Sequence, residues 1–119
     1  MKGYTVSMRR GTRHHYLKHK EAARALAHAR LAHFNRFYGF PYRRVFIKNL
    51  RSRWGSCSEF RNLNFNYKII FLPVKLADYV ILHELCHLGE FNHSPRFWTL
   101  VGQAMPDYKH HRAQLNRIR

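Results

Sequence analysis

Residues 79–88 read Tyr-Val-Ile-Leu-His-Glu-Leu-Cys-His-Leu and are apolar nearly all round a helix. A helix with that pattern belongs inside a domain. Two histidines and a glutamate interrupt it, and unpaired polar groups in such a place are costly. His83 and His87 are four residues apart, so a helix sets both on one face, where a single metal ion can take both. Glu84 is one residue along and points beside that ion, where a general base acting on a coordinated water belongs. Gly89 is read as a helix C-cap in the left-handed conformation. After it the chain can return His93 as a third ligand. Three ligands leave the fourth position of a tetrahedral zinc open, the mark of a catalytic and not a structural site.

The chain holds 10 histidines and 4 glutamates in 119 residues. Roughly 0.03 chance occurrences of His-Glu-x-x-His are expected from that composition, and a histidine at one fixed later position lowers the number about twelve-fold. The bland reading, a buried helix with satisfied core histidines, is therefore the weaker one. Zinc, one per chain, is the default for imidazole ligands, although affinity alone would also admit nickel or copper.

A chain of 119 residues suffices for one compact domain, and 45% apolar residues permit a real core. No apolar run nears the roughly 18 residues of a membrane span, so none is expected. Residues 1–20 are basic and lack an apolar stretch, so no secretory signal is expected. Cys57 and Cys86 form no Cys-x-x-Cys pair, and the expected setting is the reducing cytoplasm. Cys86 is read as a small buried residue.

The net charge of +16 is uneven. Residues 1–53 carry 14 Lys or Arg against one acid, and residues 54–119 carry 8 against 5. A basic front half suggests an anionic partner, nucleic acid first, although a solvated basic surface would look the same. One reading is thus a nucleic-acid-binding module with a structural or vestigial metal site. A metal-dependent hydrolase is the other, acting on a peptide or on some non-peptide substrate. A protease recruited to DNA would combine the two.

Taken in order, residues 1–16 read as a flexible or weakly extended basic arm, with His14, His15 and His19 on a solvated face. Residues 18–37 are rich in helix formers. Leu26, Ala29, His33 and Phe37 fall at helical spacing, and Lys20, Arg24, Arg30 and Arg36 are available for an exposed basic face. Gly39 and Pro41 end that helix. Residues 43–49 favour a strand. A hairpin follows, with strands near 52–57 and 63–67 and a turn at 59–62. Pro73 opens the run into the motif helix. Ser94 and Pro95 cap and start another helix. Pro106 and Asp107 end that one and start a last, over 108–118, which Leu115 and Ile118 can dock. Residues 1–42 are thus a basic arm and helix, and 43–119 the core of one compact domain.

Arg53-Trp54-Gly55-Ser56-Cys57-Ser58, Leu63-Asn64, Leu72-Pro73, residues 78–88, Asn92-His93-Ser94-Pro95-Arg96-Phe97-Trp98 and Pro106-Asp107-Tyr108-Lys109 together resemble the YgjP-like metallopeptidases, which are similar to SprT-like and WLM-type zincins. The resemblance runs from about residue 43 to 118. It implies an α+β, zincin-like fold: a small twisted β-sheet packed on an active-site helix, with additional helices and an edge strand beside that helix. It also implies His83, His87 and His93 as zinc ligands, Glu84 as catalytic acid/base and a peptide or protein substrate. By the same analogy, residues 53–58 lie near the cleft and can present an edge to an extended peptide. Arg53, Tyr67 and Tyr108 are the candidates for stabilising the oxyanion.

Overall fold

The computed structural model describes residues 9–118. Its elements are α1 (Arg13–Tyr38), β1 (Val45–Lys48), β2 (Gly55–Cys57), β3 (Leu63–Asn66), a 3-10 helix (Tyr67–Phe71), α2 (Val74–Cys86), α3 (Pro95–Ala104) and α4 (Tyr108–Ile118). The fold is α+β. No helix among the described residues is long and apolar enough to cross a membrane.

α1 begins at Arg13, earlier than the expected residue 18, because Thr12 caps it. The Thr12 hydroxyl accepts from the His15 amide at 3.1 Å. Residues 9–12 are tied down as well. Gly11 and Asn49 exchange hydrogen bonds of 2.9 and 2.7 Å, and the Lys68 ammonium donates to the Arg9 carbonyl. The part of the expected arm over residues 1–8 lies outside the described residues. Gly39 ends α1 in the left-handed conformation, with φ 69°.

The buried stripe of α1 is Ala23, Ala27, Leu31 and Phe34, not the expected Leu26, Ala29, His33 and Phe37. Phe37 is 62% exposed. Both stripes have helical spacing, so periodicity does not choose between them. The small side chains of Ala23 and Ala27 let α1 lie close on its neighbours, the 3-10 helix, β1 and α2. Arg30 also departs from the expected basic face. It reaches the buried Asp78 of α2 with bonds of 2.7 and 3.1 Å.

The sheet has the order β1-β3-β2, with β1 parallel and β2 antiparallel to β3. The hairpin register pairs Gly55 with Phe65, Ser56 with Asn64 and Cys57 with Leu63. Its turn closes through Ser58, whose hydroxyl accepts from the Phe60 and Asn62 amides at 3.2 Å. β2 is shorter than the expected 52–57. The incoming loop is held instead by the Asn66 side-chain amide, which donates to the Leu50 and Arg53 carbonyls. β3 is buried along its whole length, between its two sheet partners and beneath α2. That central burial sets β2 at the sheet edge, against α2.

Candidate metal centre

α2 is the central helix of the molecule, and ten of its side chains are buried. It ends at Cys86 without a left-handed residue. The backbone tightens through bonds from the Leu88 amide to the Leu85 carbonyl and from the Gly89 amide to the Cys86 carbonyl, both 3.0 Å. The expectation of a left-handed Gly89 is therefore not met, since Gly39 is the only glycine with positive φ among the described residues. At position 89 the side chains of Phe40 and Leu100 pack against the bare backbone. A Cβ there would come within 2.6 Å of Phe40 and 2.9 Å of Leu100. The chain then turns and returns His93 just before α3. Ser94 caps α3 by accepting from the Phe97 amide, and its hydroxyl donates to Glu90 at 3.0 Å, which braces the loop.

This path brings three imidazoles together. The Nε2 atoms of His83, His87 and His93 lie 3.1 to 3.2 Å from one another. Tetrahedral zinc, with Zn–N bonds of about 2.0–2.1 Å, sets neighbouring ligand nitrogens about 3.3 Å apart. The triangle therefore fits one such ion. The protonation pattern fits too. His87 Nδ1 lies 3.1 Å from the Glu90 carbonyl, which can only accept, so the hydrogen is on Nδ1 and the Nε2 lone pair points into the triangle. Burial holds His83 down to about 3 and also lowers His87, with the neighbouring imidazoles adding to the effect, so both are neutral near pH 7. With the hydrogen of each ring on Nδ1, three lone pairs face one another at this spacing, an arrangement that a cation among them stabilises. Among the described residues these three form the only cluster of metal-ligating groups. The His15 and His19 rings lie near each other at a tilt, with centroids 4.5 Å apart, but His15 Nδ1 is engaged with the Tyr67 hydroxyl at 2.7 Å.

Aromatic rings hold the imidazoles in place. Phe97 is fully buried and stacks on His87 with centroids 4.4 Å apart. Trp98 stacks on His93 at 5.7 Å and Tyr108 on Trp98 at 5.2 Å. Tyr79, one turn before His83 on α2, places its hydroxyl 3.2 Å from His83 Nδ1. Burial pushes the Tyr79 hydroxyl up to about 12, so it stays protonated. When the His83 hydrogen is on Nδ1, the hydroxyl accepts it and orients the ring with Nε2 toward the other two imidazoles. Tyr79→Phe is expected to weaken divalent-metal binding about tenfold with the fold retained. Competition with a chromophoric chelator measures this, and unchanged affinity would deny the hydroxyl that role.

Glu84 points from α2 under β2. It is 7% exposed. Gly55 makes the space: a Cβ there would lie 3.1 Å from Glu84 Cγ and 2.9 Å from the Asn64 carbonyl oxygen. Burial pushes the Glu84 carboxyl up to about 8, while the charge of Arg53 pulls it back. Glu84 and His83 form one wall of an open pocket of about 210 Å³, with Arg53, Trp54, Tyr79 and Arg112 around it.

Of the three sequence candidates for an oxyanion donor, Arg53 lines this pocket and the other two do not. Tyr67 is fully buried and committed to His15. Tyr108 sits against Trp98. Sequence reasoning missed Tyr79, Phe97 and Arg112 as neighbours of the site. For Tyr79 a signal existed, since i and i+4 share a helix face. For Arg112 there was none, because only the docking of α4 on α2 brings it there.

The chain matches the family described as YgjP-like, metallopeptidase domain, over residues 7–118. That span takes in α1, which the resemblance carried by residues 43–118 did not reach. No curated protein matches the chain. Among solved structures it is similar to the metallopeptidase zymogen of Pyrococcus abyssi abylysin, with a TM-score of 0.66 and 23% identity over 77% of this chain and 90% of that one. At that identity the likeness is one of fold alone. With the family match running through every described element, the chain belongs to the YgjP-like metallopeptidase domain family.

Proposed function

We propose that the protein is a zinc-dependent peptidase in which His83, His87 and His93 hold the ion and Glu84 is the general base. The observation that carries this is the triangle of Nε2 atoms 3.1 to 3.2 Å apart beside a buried carboxylate. Zinc held by these three histidines would supply Lewis-acid polarisation of the scissile carbonyl and make water a stronger acid near neutral pH. Glu84 accepts the proton of the attacking water and delivers it to the leaving amine. Its place under β2 sets that transfer at the sheet edge. β2 pairs with β3 on one side only, so its outer edge is available to an extended peptide, held by backbone hydrogen bonds as an added strand. Tyr79 and the Glu90 carbonyl keep the imidazole nitrogens turned inward while the substrate binds. Arg53, which lines the pocket beside Glu84, supplies the positive charge that stabilises the developing oxyanion in this reading.

Elemental analysis of tag-free protein tests the reading. Near one zinc per chain is expected in the wild type and a sharp loss in His93→Ala, with the far-UV circular dichroism unchanged because His93 is exposed. No zinc in the wild type after reconstitution would overturn it.

A further inference from the structure

The pocket beside Glu84 is unusual in what surrounds it. Arg53 enters from the loop before β2 and Arg112 from α4, and both line the same space. Neither has a carboxylate within salt-bridge distance among the described residues. Asn116 adds an amide to the same wall. The Tyr79 hydroxyl, when it accepts from His83 Nδ1, keeps its own hydrogen to donate. Glu84 is the one acid in the lining, and the mechanism reserves it for the water. The pocket is therefore rich in donors and positive charge and poor in partners for them.

Arg112 is also held in place. Its guanidinium lies 4.6 Å from the centroid of Trp98, which in turn stacks on His93. Its charge bears on both Tyr79 and His83. A substrate group in this pocket would sit next to the reacting centre. The volume of about 210 Å³ holds one residue and not an extended segment.

We propose that this pocket is a substrate subsite that takes a carboxylate next to the scissile bond, with Arg112 as the specificity-determining residue and Arg53 adding to its field. The proposal rests on the peptidase reading for its orientation. The carboxylate has two sources, an Asp or Glu side chain or the α-carboxylate of a peptide end. Planar guanidinium groups pair with either in the same way.

Binding tests this separately from hydrolysis. Calorimetry on the full chain carrying Glu84→Gln, loaded with zinc, compares peptides that differ by Glu against Gln and by a free against an amidated C-terminus. One of the two anionic forms is expected to bind about fivefold more tightly than its neutral match, the upper range for a partly exposed charge pair. The pair that shows the preference identifies the source. Arg112→Ala should abolish the preference, Arg112→Lys should keep part of it, and Arg112→Glu should reverse it toward a lysine peptide. Because the chain carries +16, Arg36→Ala serves as the control for a general electrostatic field. Equal affinity for the matched peptides, or a preference that survives Arg112→Ala or falls equally in Arg36→Ala, would overturn the proposal. Cleavage by the wild type, assayed in parallel, reports on the peptidase reading alone.

Discussion

Glu84→Gln is expected to lower kcat by about 10²–10⁴-fold, the usual contribution of a positioned general base, while zinc content stays at the wild-type level. Glutamine has the same shape, so it fits the space that Gly55 leaves under β2. Its amide cannot accept the water proton. The metal-free protein gives a second readout with a definite sign. Burial raises the Glu84 carboxyl from its ordinary 4.5 to about 8, so between those values the folded chain holds a proton that the unfolded chain has lost. Stability of the metal-free wild type should be greatest below about pH 4.5 with respect to this group and should fall as pH rises toward 8. The glutamine variant should lack that component of the slope. Near-normal turnover in the variant would remove Glu84 from the mechanism. Joint loss of activity and zinc would make its role structural.

Phe97→Ala is expected to destabilise the metal-free protein by about 3–5 kcal/mol, the range for truncating a buried phenylalanine. Phe97 is 0% exposed and touches all three imidazole rings. It stacks on His87 at 4.4 Å and meets His83 and His93 edge-on at 4.9 and 5.0 Å. The void would open directly behind the three imidazoles, so any metal affinity of that candidate site should fall together with stability. Denaturant unfolding must be run without metal, because bound zinc would add its own stabilisation. Phe97→Leu keeps most of the volume and should cost about 1.5 kcal/mol or less. A loss under about 1 kcal/mol in the alanine variant would be too small for a fully buried ring and would contradict the packing of α3 on the histidines.

The residues around position 83 were legible because their geometry is local. A four-residue step along a helix brings His83 and His87 together in any fold that keeps the helix. Ser94 and Pro95 start α3 by capping chemistry that acts within one turn, and they did so as expected. The hairpin of β2 and β3 was readable from alternation and from the polar turn between them. The start of α1 was missed because a capping threonine followed by basic and histidine residues carries little apolar pattern. Its buried face was missed for another reason. Alanine and larger apolar residues fall on more than one side of α1, and the side that is covered depends on which one β1 and α2 can approach closely.

The amino-acid sequence by itself determined the motif helix with His83 and His87 on one face and the capped start of α3, since these follow from short-range spacing and capping, while the α+β class was what the family resemblance implied. Tertiary structure alone decided that Gly89 yields space to Phe40 and Leu100 in place of a left-handed turn. It also decided that Arg30 pairs with Asp78 and that Arg53 and Arg112 share one pocket beside Glu84. Each of these joins residues distant along the chain. Such contacts are set by how helices and sheet fill the space between them, which no local periodicity encodes.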